Sequence, residues 1–180
     1  KGLDLSEVNI GVGLDLRGLT SAEGLDLSGV NIGGDLNLSG LTSAEGLDLT
    51  GTNIGGLNLR GLTSAEGLDL SRANIGYLDL SGLTNTEGLD LTGANIGGLN
   101  LSGLTSAKDL DLSGANIGND LYLNGLTSAE GLDLSGTNIG GGLYLSGLTS
   151  AEGLDLSGAN IGMSLNLIGL TSDEGIFFHY

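Results

Sequence analysis

The chain has 180 residues, 36 of them Gly, with no Pro, Cys or Trp. The lack of Cys excludes disulfide staples and thiolate metal sites. Acids outnumber bases 22 to 5, a formal charge of -17, which argues against nucleic acid as a partner and favours solubility and cationic partners.

Read in chain order, Lys1 runs straight into Gly2-Leu3-Asp4-Leu5. That start recurs at Gly24, Gly46, Gly67, Gly88, Asp109, Gly131 and Gly153, so the chain is eight copies of 21 or 22 residues. No apolar run reaches the ~18 residues of a membrane span, so none is expected.

The copy from Gly46 to Glu66 reads GLDLTGTNIGGLNLRGLTSAE. Leu47-Asp48-Leu49 alternates with the period of a strand, both Leu on one face and Asp on the other. Gly and Asn follow as turn formers. Leu57-Asn58-Leu59 repeats the strand signature, and Leu62 to Glu66 closes the copy. Length varies only between Asn-Ile-Gly and the next Leu, which marks a turn. No helical periodicity is sustained, and Gly this frequent would cost a helix roughly 1 kcal/mol each.

The predicted fold is all-β, a parallel β-solenoid of eight coils spaced about 4.8 Å apart and roughly 40 Å long. Residues 1–174 form the repeat domain and residues 175–180 a C-terminal aromatic cap. Three inner ladders are expected. One runs from Leu25 through Leu47, Leu68, Leu89, Leu110 and Leu132 to Leu154. The second runs from Ile32 through Ile54, Ile75, Ile96, Ile117 and Ile139 to Ile161. The third runs from Leu41 through Leu62, Leu83, Leu104, Leu126 and Leu148 to Leu170. Ala44 and its equivalents fill a tight corner. The Asn that precedes each Ile is predicted to form an amide ladder from coil to coil.

Outward columns carry the candidate chemistry. Asp26, Asp48, Asp69, Asp90, Asp111, Asp133 and Asp155 form an acidic column, read as a solvated face. Divalent cations are the alternative, since hard ions such as Ca²⁺ prefer carboxylate oxygen. No cofactor is otherwise expected. A Glu column is broken by Lys108. A column of Thr, one per coil, reads as side-chain-to-backbone bonding, with ice binding as the sharper alternative. Tyr122 and Tyr144 fall in one slot of adjacent copies and should stack. Exposed aromatics of this kind hold sugar rings or a partner's side chain, although a plain cross-strand pair is the simpler reading.

An enzyme is not expected. The period is never interrupted by more than one residue, and the sole His is His179. Ser and Thr therefore lack a base to activate them. Ile176, Phe177 and Phe178 leave the repeat as an apolar plug, while the other end has no counterpart. Either upstream chain or another molecule is expected to cover that end. A head-to-tail joint would bring Leu3, Leu5 and Ile10 of one molecule against Ile176, Phe177 and Phe178 of the next.

Units such as Ala94-Asn95-Ile96-Gly97-Gly98 resemble the pentapeptide repeat, which implies a right-handed β-helix with four pentapeptides per coil. The first Leu of each Leu-x-Leu departs from that family's small residue, and the fourth side carries a sixth residue. The segment LTSAEGLDLSGANI also resembles a leucine-rich repeat, with Ala or Thr at the usual Asn position. The cadence NIGG-LNLSGLTSAEGLDL is similar to repeats of bacterial and phage proteins. That implies such an origin and an extracellular, cell-surface or virion location. The function expected is a non-catalytic structural repeat protein that self-assembles into filaments or adheres to a surface, a surface glycan being one partner. The alternative is a scaffold whose acidic face binds a basic protein. Pentapeptide-repeat proteins that target DNA gyrase, acidic β-helices that imitate DNA, imply that reading.

Overall fold

Leu-x-Leu triplets form strands here because alternate side chains point to opposite faces, and each triplet can bury two Leu only from one side. The computed structural model describes residues 3–108, 110–172 and 176. Among them there is no helix. Sixteen strands occur, most of them two residues long and all paired in parallel. The chain is an all-β parallel solenoid.

The second coil shows the plan. Leu25 and Leu27, Val30 and Ile32, Leu36 and Leu38, and Leu41 and Ala44 point inward from four successive sides, and all eight are buried. Three corners are closed by backbone hydrogen bonds from residue i+3 to residue i: Val30 N–H to Leu27 O (3.1 Å), Leu41 N–H to Leu38 O (3.0 Å), and Leu47 N–H to Ala44 O (2.9 Å). Gly29 and Gly46 lie at φ +62° and +79°, as the third residue of a type II turn requires. The fourth corner has no such bond. Strand Asn31–Asn37 runs through it with a bulge between Ile32 and Asp35. This is the corner where copy length varies, because a bulge absorbs one residue without moving its neighbours out of register.

Coils stack residue for residue. Asn31 pairs with Asn9 and Asn53, and Leu121 with Leu99 and Leu143. The Asn side and the second Leu-x-Leu side, hereafter the third side, join in one 14-stranded sheet. The Asp and Thr sides pair through shorter bridges such as Asp48 to Asp69 and Ser128 to Ser150. Each fully buried Leu contributes about 1.5–3 kcal/mol, so the stacked ladders dominate the stability.

The inner column at Val30, Thr52, Ala73, Ala94, Ala115 and Thr137 was not apparent as core, because it is written in small residues. All six are buried. Thr137 Oγ1 donates to Leu112 O at 2.9 Å, whereas Thr52 Oγ1 is buried with no partner. Val30 already occupies the same column. Thr52→Val should therefore stabilise the protein by about 1 kcal/mol, and Thr137→Val should not, since it gives up a made bond. Paired denaturant melts of the two variants check this.

Coil-to-coil contact is tight at the Gly before the third Leu ladder. A Cβ on Gly82 would run into the carbonyl oxygens of Arg60 and Leu62 in the preceding coil, whereas one on Gly18, in the first coil, would meet nothing within 4 Å. Gly82→Ala is expected to lower stability by several kcal/mol through backbone overpacking. Gly18→Ala should be neutral or slightly stabilising. Equal melting temperatures for the two variants would contradict this packing.

Candidate functional site

The outward side chains fall into columns whose local chemistry can be taken side by side. On the Asn side, each amide Nδ2 donates to the Oδ1 of the preceding coil's Asn. The ladder runs from Asn160 back to Asn31 at 2.7–2.9 Å, with a longer last step of 3.5 Å to Asn9. This is the expected amide ladder.

On the Asp side, the carboxylates do more than face solvent. Asp26 Oδ1 accepts the backbone N–H of Ser28 (2.9 Å) and its hydroxyl (2.7 Å). Asp48, Asp69, Asp90, Asp111, Asp133 and Asp155 each accept the N–H two residues on, at 2.8–2.9 Å. The column is a run of Asx turns. In the first coil, the hydroxyl and N–H of Ser6 hold the Asp4 carboxyl below the usual carboxylate value. Asn37, Asn58 and Asn100 do the same job on the third side without charge. The signal was present as D-x-S and N-x-S. Among the described residues no group of three or more His, Cys, Asp or Glu is placed to hold a metal ion.

On the Thr side, Thr84 Oγ1 donates to Thr63 O (3.2 Å), and Thr149 and Thr171 Oγ1 donate to Thr127 O and Thr149 O (2.9 Å each), bonding those coils to the ones before. Side-chain-to-backbone bonding is therefore present in part of this column. At Thr86, which stands where other coils have Ala, the buried hydroxyl donates to Lys108 O at 3.1 Å.

The third side carries the aromatics. Tyr122 and Tyr144 stack with ring centroids 5.1 Å apart and planes 12° from parallel. Tyr122 OH donates to Asp120 Oδ2 (2.8 Å), and that bond raises the phenol above its ordinary pKa. Asp120 Oδ1 accepts Gly142 N–H at 2.8 Å, which fixes the carboxylate. Nearer the first coils, Arg17 pairs with Asp15 at 2.6 Å and, chiefly by hydrogen bonding, holds that carboxyl below its ordinary value. Between these lies a groove of about 300 Å³ lined by Asp35, Asn37, Gly55, Gly56, Leu57, Asn58, Tyr77 and Asp79. Neither Tyr77 nor the groove was singled out from sequence.

At the ends, Leu3 is 48% exposed, Leu5 and Ile10 are half-buried, and Ile176 packs partly buried against the core. Phe177 and Phe178 lie outside the described residues. Sequence reasoning passed over Val12, Met163, Leu165 and Ile168. All four are exposed, and Val12, Met163 and Ile168 put apolar groups where other copies have Gly, Ser or another polar residue. Their signal was that departure.

No helix is long and apolar enough to cross a membrane among the described residues. Comparison with protein-family models, with curated proteins and with solved structures found no match.

The Asx turns set an expectation for the acidic column. Asp90→Asn keeps the acceptor for Thr92 N–H and removes repulsion along the column, so stability should hold or rise by a few tenths of a kcal/mol. Asp90→Leu loses the turn bond and should cost about 1 kcal/mol. Chemical denaturation of both variants at low and high salt separates the two contributions, since only repulsion is screened.

Proposed function

We propose that this protein is a non-catalytic structural repeat protein, a rigid rod that extends by joining end to end with copies of itself. One observation carries the reading. Among the described residues the exposed large apolar side chains are Leu3, Val8 and Val12 in the first coil, Met163, Leu165 and Ile168 in the last, and Tyr77 between them. Every interior coil already offers its neighbour the same inward ladders, so an end face is complementary to another end face by construction. The two ends differ, and a heterologous joint of this kind propagates as an open filament. Leu5 and Ile10 would line one face of the joint, with Ile176 and the apolar tail Phe177-Phe178 at the other.

The acidic surface supports a second reading, a scaffold for a basic protein. Aligned outward Asp residues and a charge of -17 would favour such a partner and make its binding salt-sensitive.

Sedimentation velocity over a range of concentrations tests the first reading. The intact chain should form species heavier than its 17.9 kDa monomer as concentration rises. Val12→Gly and Ile168→Ser restore the residue types of interior copies, so they should keep the fold and weaken association about tenfold each. Truncation after Glu174 should act in the same direction. A monomer at every concentration, with intact β signal, would discard self-assembly and leave the scaffold reading.

A further inference from the structure

The column that precedes the first Leu of the third side alternates bulk with its absence. In register it reads Asp35, Gly56, Tyr77, Gly98, Asp120, Gly142. Coils are about 4.8 Å apart, so each Gly leaves a notch between two larger neighbours roughly 10 Å from one another. At Gly98 the notch is taken by the Tyr77 ring, which lies where a Cβ on that Gly would contact it at 3.2 Å. At Gly56 the Asp35 carboxylate leans in instead, its Oδ1 2.6 Å from where a Cβ would sit. Gly56 lines the 300 Å³ groove between Asp35 and Tyr77. Tyr77 is 44% exposed, and among the described residues no other large apolar or aromatic side chain stands so exposed away from the two end coils.

We propose that this groove binds a neutral oligosaccharide, with a sugar ring against Tyr77. The wall supplies the flat apolar surface that the C–H face of a pyranose requires. The flanking groups supply both senses of hydrogen bond. Asn37 and Asn58 spend Oδ1 on the N–H of Ser39 and Arg60 (3.1 and 3.2 Å), which leaves each Nδ2 as a donor to the groove. Asp79 spends Oδ1 on Ser81 N–H (3.1 Å), leaving Oδ2 as an acceptor, and Asp35 adds a second carboxylate.

A hydroxyl both donates and accepts, so it satisfies amide and carboxylate alike. An ammonium only donates and has nothing to offer two amide NH₂ groups. Asp35 and Asp79 repel an anionic sugar.

This inference is independent of end-to-end assembly and is tested apart from it. Native gels cast with soluble neutral polysaccharides, a β-glucan, a xylan and a mannan, give the first reading, with calorimetry on the matching hexasaccharides for affinity. The intact chain should be retarded by at least one of them and not by an anionic pectin. Tyr77→Ala removes the wall. Gly56→Leu fills the notch, where the nearest atom is the movable Asp35 side chain. Each should weaken binding about tenfold with an unchanged unfolding transition. Three outcomes would overturn the proposal: no retardation by any neutral polymer, retardation indifferent to both substitutions, or binding of poly-lysine that disappears in Asp35→Asn and Asp79→Asn. The last would assign the groove to a cation.

Discussion

One coil cannot keep its own interior dry. Eight inward side chains enclose a slab of core only one strand spacing thick, about 4.8 Å, and water is excluded only when the next coil covers it. The regularities of the chain follow from that requirement. Equivalent positions must carry matching shapes, so the Leu, Ile and Ala columns repeat with little change. Backbone N–H groups are bonded to the neighbouring coil, as Asn31 N–H is to Val8 O and Leu27 N–H to Asp48 O, which leaves little room for Pro in a strand or corner. Where coils approach closely only Gly fits, as at Gly82 against the Arg60 carbonyl and Gly97 against the Gly76 carbonyl.

The same requirement confines variation to two places. Outward positions can change, and there the chain writes Asp, Asn, Arg and Tyr over an interior whose Leu and Ile ladders stay fixed and whose small-residue columns vary only among Ala, Thr and Val. The corner between Ile32 and Leu36 can gain a residue, because its bulge has no closing turn bond. Two left-handed residues other than Gly, Glu7 and Arg72, show that a type II corner accepts a side chain at some cost, provided the side chain points into solvent.

Most of the fold was legible because it is periodic. Leu-x-Leu alternation gave the strands, and the fixed copy length gave the stacking. Asn before Ile gave the amide ladder, and one slot shared by Tyr122 and Tyr144 gave their contact. What escaped was either small or local. The column holding Val30 and Thr52 is too short in side chain to stand out as core. The Asp residues looked like a solvated strip, although D-x-S was already the signature of a turn. The groove was hidden for a different reason. It exists only after Asp35, Gly56 and Tyr77 are set side by side, and the extra residue before Leu36 shifts the alignment at that very point.

The Asn ladder has a further consequence. Every amide between Asn31 and Asn160 donates in one sense, toward the first coil, so seven bond dipoles add rather than cancel. Aligned amides polarise one another, and the column behaves as a polar filament embedded in an otherwise acidic rod. One terminus of the column is left with a donor, at Asn9 Nδ2, and the other with an acceptor, at Asn160 Oδ1. The molecule therefore has an electrical direction as well as a chain direction. Between two rods lying side by side this dipole favours the antiparallel arrangement, against the repulsion of their acidic surfaces.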